Sequence, residues 1–363
     1  MKRSLYKSSV SLAGVAVMAL GLFVATPSAE AGMFDGQKLT VATFGGSWRD
    51  RIKLIVGKAF EAEGGAIEFI VGNAGQNLQS MIAARGQKAP FDVMEITDEH
   101  WGNFVEGDFV QKLDLSKIPN TKDVDPALFD DFKVGNWIVL EGLVYNIAKF
   151  KELGLPRPTT FSELDHPKLK GKLHMSDSSN FTGLYTISVL AHENGGSESN
   201  IQPGLDKIKS MDMHSYSQNA VTVNQMLKSG ELYATFAHCG WAVRNHDAGT
   251  LVGCVHPVVN GKRGAPAVGY AAIAKGSKNA AAAHFYINEL VGFEMQELFH
   301  VKNGIVPVNN KVLEQYYKMP KLDSEGVPFL ILDPKEVANF WYLDYSKYDA
   351  KGWQRAWDRT LLN

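Results

Sequence analysis

The sequence predicts an α/β fold with largely parallel sheets. Three observations point to it. Strand-like runs alternate with amphipathic helical runs along most of the chain. A two-glycine turn, Gly45-Gly46-Ser47-Trp48, separates the first strand-like run from the first helical one. Apolar residues make up 45% of the chain and cysteines number only two, so the core must come from packing rather than from a disulfide scaffold. At 363 residues the length suits two domains better than one.

The chain opens with Lys2, Arg3 and Lys7, an apolar run from Val10 to Ala25, and the small-x-small signature Ala29-Glu30-Ala31. The run is shorter than the ~20 residues of a spanning helix. Residues 1–31 therefore read as a secretory signal peptide cut after Ala31, and the expected compartment is a bacterial periplasm.

The first strand is expected over 38–44. After the glycine turn, Ile52, Ile55, Val56, Ala59 and Phe60 follow the i, i+3, i+4, i+7, i+8 spacing of a helix, with Ser47 placed as its N-cap. Further strands are expected over 66–71, 91–96, 137–145, 172–175, 232–237, 251–259 and 268–274. Helices are expected over 77–85, 183–192, 220–228, 279–290 and 294–301. Pro156 and Pro158 make 154–160 an extended surface loop. Trp353 and Trp357, at i and i+4, mark a helix clamped onto the body of the protein.

A formal charge of −2 and the lack of any Lys/Arg run leave no electrostatic footprint for nucleic acid. There is no Gly-x-Ser-x-Gly elbow, His192-Glu193 lacks the second His of a zincin helix, and His238, His246 and His256 have no closed-zinc spacing. No enzyme, cofactor or metal is expected. Whether Cys239 and Cys254 pair is left open.

The order of segments resembles the extracytoplasmic solute-binding proteins of ABC importers, in the subgroup of the spermidine/putrescine-binding proteins. The likeness rests on the 45–48 turn, on Phe91-Asp92-Val93, on Leu143-Val144-Tyr145-Asn146 followed by residues 158–164, and on 268–279. It implies a two-lobe type II periplasmic-binding fold with an interlobe ligand cleft, lobe 1 holding 33–140 and 268–305 and lobe 2 holding 141–267 and 306–363. It further implies a monomer that closes on a small solute and presents it to an inner-membrane permease. Acidic positions of the polyamine carriers fall at Ser178, Phe181 and Gly269, and an aromatic wall falls at His238. Three missing acids favour a zwitterionic or anionic amine-containing solute over a polyamine. The alternative is a ferric-ion binder, prompted by the adjacent Tyr316-Tyr317.

Ligands of open α/β sheets sit at the carboxyl ends of strands. Four turns qualify. Gly46, Ser47 and Trp48 offer backbone approach, helix-start N–H groups and an apolar wall, or form a tight turn packed on the core. Thr97, Asp98 and Glu99 offer a hydroxyl and carboxylates for an amine, or are solvated helix-start acids. Ser178 and Ser179 suit an anion, or one of them caps a helix. His238 and Trp241, with Arg244 one turn on, suit an anionic or stacking group, or are packing residues of the fold. Tyr270, on a crossover strand, either faces the cleft or packs in the core.

Overall fold

The computed structural model describes residues 32–217 and 219–362. The signal-peptide reading of residues 1–31 lies outside the described residues. No helix among the described residues is long and apolar enough to cross a membrane.

Among the described residues eleven strands are formed: β1 (Lys38–Thr43), β2 (Ala66–Val71), β3 (Val93–Thr97), β4 (Val134–Asn146), β5 (Leu173–Met175), β6 (Ser215–Tyr216), β7 (Ala234–His238), β8 (Val252–Val255), β9 (Val258–Val259), β10 (Lys262–Arg263) and β11 (Ala265–Ile273). One sheet runs β2-β1-β3-β11-β4-β7-β5-β6, with β8 also on β4, and β9 and β10 form a separate hairpin. The pairs β1–β2, β1–β3, β5–β7 and β5–β6 are parallel. The centre is antiparallel: β11 lies between β3 and β4, and β4 pairs β7 and β8. Largely parallel pairing thus holds at the two ends, while two long strands running against their neighbours join them.

Every residue of β4 is buried, which explains its near-continuous apolar sequence. Residues Val134–Glu141 pair with β11, and Glu141–Tyr145 pair with β7 on the other edge. The expected strand over 251–259 is two short strands, since His256-Pro257 interrupts it.

The first helix starts at Ser47 and continues from Ser47–Ile52 through a π-helical turn, Lys53–Gly57, into Lys58–Ala62, burying Ile52, Val56 and Phe60. The N-cap is Gly46 with no side-chain bond, so Ser47 is the first helical residue and not the cap. Both glycines are explained locally: Gly46 has φ +62°, and a Cβ on Gly45 would stand 2.7 Å from Val71 Cγ1. The helix Phe181–Glu193 is capped by Asn180, whose side chain accepts from the Gly183 N–H at 3.0 Å, rather than by a serine.

Cys239 and Cys254 form a disulfide with Cα atoms 5.7 Å apart. At the other end of the chain, helix Ala350–Trp357 buries Trp353 and Trp357. Trp353 donates its indole N–H to the Glu198 carbonyl at 3.1 Å, and Trp357 packs edge-on against Tyr216.

Candidate functional site

Three of the four turns singled out in the sequence reach one cavity of about 220 Å³. Phe44 and Trp48 enter it from the turn after β1, Phe181 from the start of the helix that follows β5, and His238 from the end of β7. Trp137 and Val139 form its floor from β4, and Arg244, Asn303 and Ile305 complete it. Alternation along a strand puts Trp137, Val139 and Glu141 on one face of β4.

The aromatic walls are held from behind. Trp48 stacks on Phe299 with ring centroids 3.8 Å apart, and meets Trp137 and Phe44 edge-on. Its Nε1–H donates to Glu95 Oε2 at 3.1 Å. Glu95, buried in the sheet, also accepts from Asn136 Nδ2 at 3.0 Å and from the Thr43 hydroxyl. Burial raises the Glu95 pKa and these donors pull it back in part. Trp137 lies over Gly269, where a Cβ would stand 1.9 Å from its ring.

The polar groups are cationic or neutral. Arg244 donates to the Asn303 carbonyl at 2.9 Å, and Arg51 donates to the Asn303 side-chain oxygen at 2.6 Å. Burial first, and Arg51 second, hold Arg244 down to about 10. Its bonded partner is a neutral carbonyl, not a carboxylate. Burial, with Arg244 adding to it, keeps the His238 pKa well below its ordinary value, so the imidazole is neutral, and its Nδ1 has no partner. An aromatic box with an unneutralised guanidinium at its wall suits an anionic group on an apolar body.

Beyond this cavity lies an acidic cluster. Asp98 accepts from the Glu99 N–H at 3.0 Å, the Tyr345 hydroxyl at 3.1 Å, the Val268 N–H at 3.2 Å and the Tyr185 hydroxyl at 3.4 Å. Glu141, 2% exposed, leaves both carboxylate oxygens without a partner. Burial, followed by the charge of Glu99, raises Asp98 to about 8. Burial likewise raises Glu141 to about 8; Asp98 and Glu99 add to that rise and the nearby Thr182 hydroxyl offsets part of it.

Of the residues expected from sequence, Trp48 and His238 meet in the cavity. Gly46 and Ser47 are exposed at its turn. Thr97 is buried and lies 3.4 Å from His100 Nδ1, while Asp98 and Glu99 belong to the acidic cluster. Ser178 donates to Gln354 Oε1 at 3.0 Å, Ser179 donates to Asp177 at 2.5 Å, and neither lines the cavity. Trp241 packs edge-on against His238. Tyr270 lines a second cavity, of about 530 Å³, with Ile138 and Val268, and the Lys133 ammonium sits 4.0 Å from its ring centroid. Tyr316 and Tyr317 bond Glu297 and Asp333 and do not line the aromatic cavity. Among the described residues no cluster of three or more His, Cys, Asp or Glu side chains could hold a metal ion.

Phe44, Trp137, Val139, Asn303 and Ile305, which line the cavity, and Glu141, which stands beyond its lining on the same strand as Trp137 and Val139, were not singled out from sequence. For Glu141 a signal existed, because it is the one charged residue inside the apolar run 137–145.

The family model for bacterial extracellular solute-binding proteins matches residues 45–297. Among solved structures, the chain is similar to a protein ascribed to a spermidine/putrescine ABC transporter of Listeria monocytogenes, at 19% identity and a TM-score of 0.69, covering 90% of this chain and 100% of that one. It is similar to the binding protein AgtB from A. tumefaciens R10 in complex with agropinic acid, at 17% identity and a TM-score of 0.66, covering 90% and 99%. It is likewise similar to the binding protein AfuA from Actinobacillus pleuropneumoniae with fructose-6-phosphate bound, at 17% identity and a TM-score of 0.66, covering 90% and 98%. These likenesses share the type II periplasmic-binding fold, and with the family match over most of its length the chain belongs to the bacterial extracellular solute-binding proteins, a solute-binding rather than an enzyme family.

Proposed function

We propose that the protein is the periplasmic capture component of an ABC importer, exported by its N-terminal 31 residues, monomeric, and handing a small organic anion to an inner-membrane permease. The observation that supports this most directly is the Trp48–Trp137–Phe181 cavity with Arg244 at its wall and, among the described residues, no carboxylate bonded to that guanidinium. A flat or apolar body packs among the rings, and its acidic group pairs with Arg244 and accepts from neighbouring donors. At about 220 Å³ the cavity is smaller than the ~300–1,000 Å³ of drug-sized sites, which favours a metabolite of amino-acid scale. The acid and the phosphate carried by AgtB and AfuA are in keeping with an anionic solute.

Closure would bring lobe 1 (33–140 and 268–305) against lobe 2 (141–267 and 306–363), with β4 and β11 crossing between them. The closed form is favoured by as much as the solute prefers it over the open one.

Native mass spectrometry of protein purified without denaturation weighs any co-purified solute. The expected adduct is a single small acid, lost in Trp48→Ala and in Arg244→Met. An adduct of unchanged occupancy in both variants would remove the reading.

A further inference from the structure

We infer that Glu141 forms an ammonium-recognition subsite at the end of the cavity floor, so that the captured solute bears a primary amine as well as an acid. The inference rests on the capture reading above and names the solute class of that same site.

Glu141 is on β4 two residues beyond Val139 and four beyond Trp137, on the face that floors the cavity. Its cross-strand partner is His238, which lines the same cavity, and directly opposed residues place their side chains side by side. Its carboxylate is buried, and neither oxygen has a well-formed hydrogen bond, the neutral Thr182 hydroxyl standing nearby. A buried acid with no cationic donor costs several kcal/mol if ionised, and native structures rarely tolerate one without a reason.

The groups facing it do not supply a cation. Asp98 and Glu99 come from the helix Asp98–Glu106, Thr182 and Tyr185 from the helix Phe181–Glu193, and neutral His238 from β7. Glu99 Oε2 is also buried and unpaired. Asp98, by contrast, is satisfied by three donors, the Glu99 N–H, the Val268 N–H and the Tyr345 hydroxyl, and serves the fold. What is missing is a compact donor of several protons with positive charge, which an alkylammonium supplies.

The two ends of the site then ask for opposite groups: Arg244 for the acid and Glu141 for the amine. In the empty protein Glu141 holds a proton, and a bound ammonium displaces it to solvent. Capture is therefore coupled to proton release.

The test uses two matched sets of probes: phenylalanine, hydrocinnamate and phenethylamine, and norvaline, pentanoate and butylamine. Thermal shift and calorimetry are run on the full protein, on Glu141→Gln and on Glu141→Met, which fills a similar volume without charge. Within at least one set the amino acid should bind at least about thirtyfold more tightly than its amine-free acid, and both variants should erase that advantage while keeping affinity for the acid. In buffers of differing ionisation enthalpy, binding to the wild type at pH 7 should release about one proton, and binding to Glu141→Gln none. Equal affinity for acid and amino acid, or an advantage that survives in both variants, overturns the Glu141 subsite alone. Arg244→Met binding the acids as tightly as wild type overturns the anion reading alone, and no stabilisation by any probe overturns both.

Discussion

The Trp48 indole N–H donates to Glu95 Oε2 at 3.1 Å, so a buried carboxylate behind the cavity sets the plane of its principal aromatic wall. Trp48 Nε1, Asn136 Nδ2 and the Thr43 hydroxyl all converge on Glu95. Glu95→Ala leaves these donors buried and unpaired, and should destabilise the protein by about 2–4 kcal/mol in urea unfolding. Thr43→Val removes one donor and keeps the carboxylate, so about 0.5–1.5 kcal/mol is expected. The near-ultraviolet circular dichroism of Trp48 should change in the first variant and not in the second. An unchanged spectrum in Glu95→Ala would show that stacking on Phe299 alone orients the ring.

Gly269 is where the second wall is seated. A Cβ there would stand 1.9 Å from Trp137 Cε2, a distance that forces the ring to move. Gly269→Ala should cost about 1–3 kcal/mol and weaken solute binding together with stability. In a Trp137→Ala background the same change should cost far less, so the double-mutant cycle should give a coupling of about 1 kcal/mol or more. Additive effects would place the strain elsewhere.

The same glycine illustrates what the sequence could reveal. Read against polyamine carriers it is a lost acid; in the fold it is the space that Trp137 fills. The α/β class and most elements were legible because burial imposes period 2 on strands and 3.6 on helices, as Ile52, Val56 and Phe60 demonstrate. The antiparallel centre was not legible, since a strand buried throughout, such as β4, reads the same in either direction. The strand-end rule brought Trp48 and His238 together, but side-chain aim is a tertiary fact. Ser178 turns to Gln354 and Tyr270 faces the opposite side of the crossing strands, and neither preference is written in spacing.

Stability should depend on pH with an unusual sign between about pH 4 and pH 8. Asp98 and Glu141 are both raised to about 8 in the folded protein, burial being the chief cause. A carboxyl whose folded pKa lies above its unfolded value of ~4 binds more protons folded than unfolded in between. Its contribution is fully present below pH ~4 and is lost as pH rises through about 8. His174 and His256, lowered to about 4 and about 3 by burial, act oppositely as pH falls below ~6.5. The difference between wild type and Glu141→Gln isolates the carboxyl. Glu141→Gln should gain on wild type by on the order of 2–4 kcal/mol between pH 5 and pH 9 in chemical denaturation. Parallel curves would mean that Glu141 is solvated in the free protein.

The Cys239–Cys254 disulfide passes over β4 at Gly142, where a Cβ would stand 2.7 Å from Cys239 Sγ and 3.2 Å from Cys254 Sγ. Cys239 follows β7 and Cys254 lies in β8, and these two strands flank β4 on opposite edges. The bond therefore ties both neighbours of a crossing strand whose next residue toward the cavity is Glu141. With a sequence separation of 15, its removal in Cys239→Ser/Cys254→Ser should cost about 3 kcal/mol, read as a fall in Tm that reductant reproduces in wild type. Gly142→Ala should be severe in the oxidised protein. Removing the disulfide should relieve it only in part, because the Val255 carbonyl also lies 2.7 Å from the added methyl and belongs to the ladder with β4. Full rescue would show that the sulfurs, and not the backbone of β8, are what demand a glycine there.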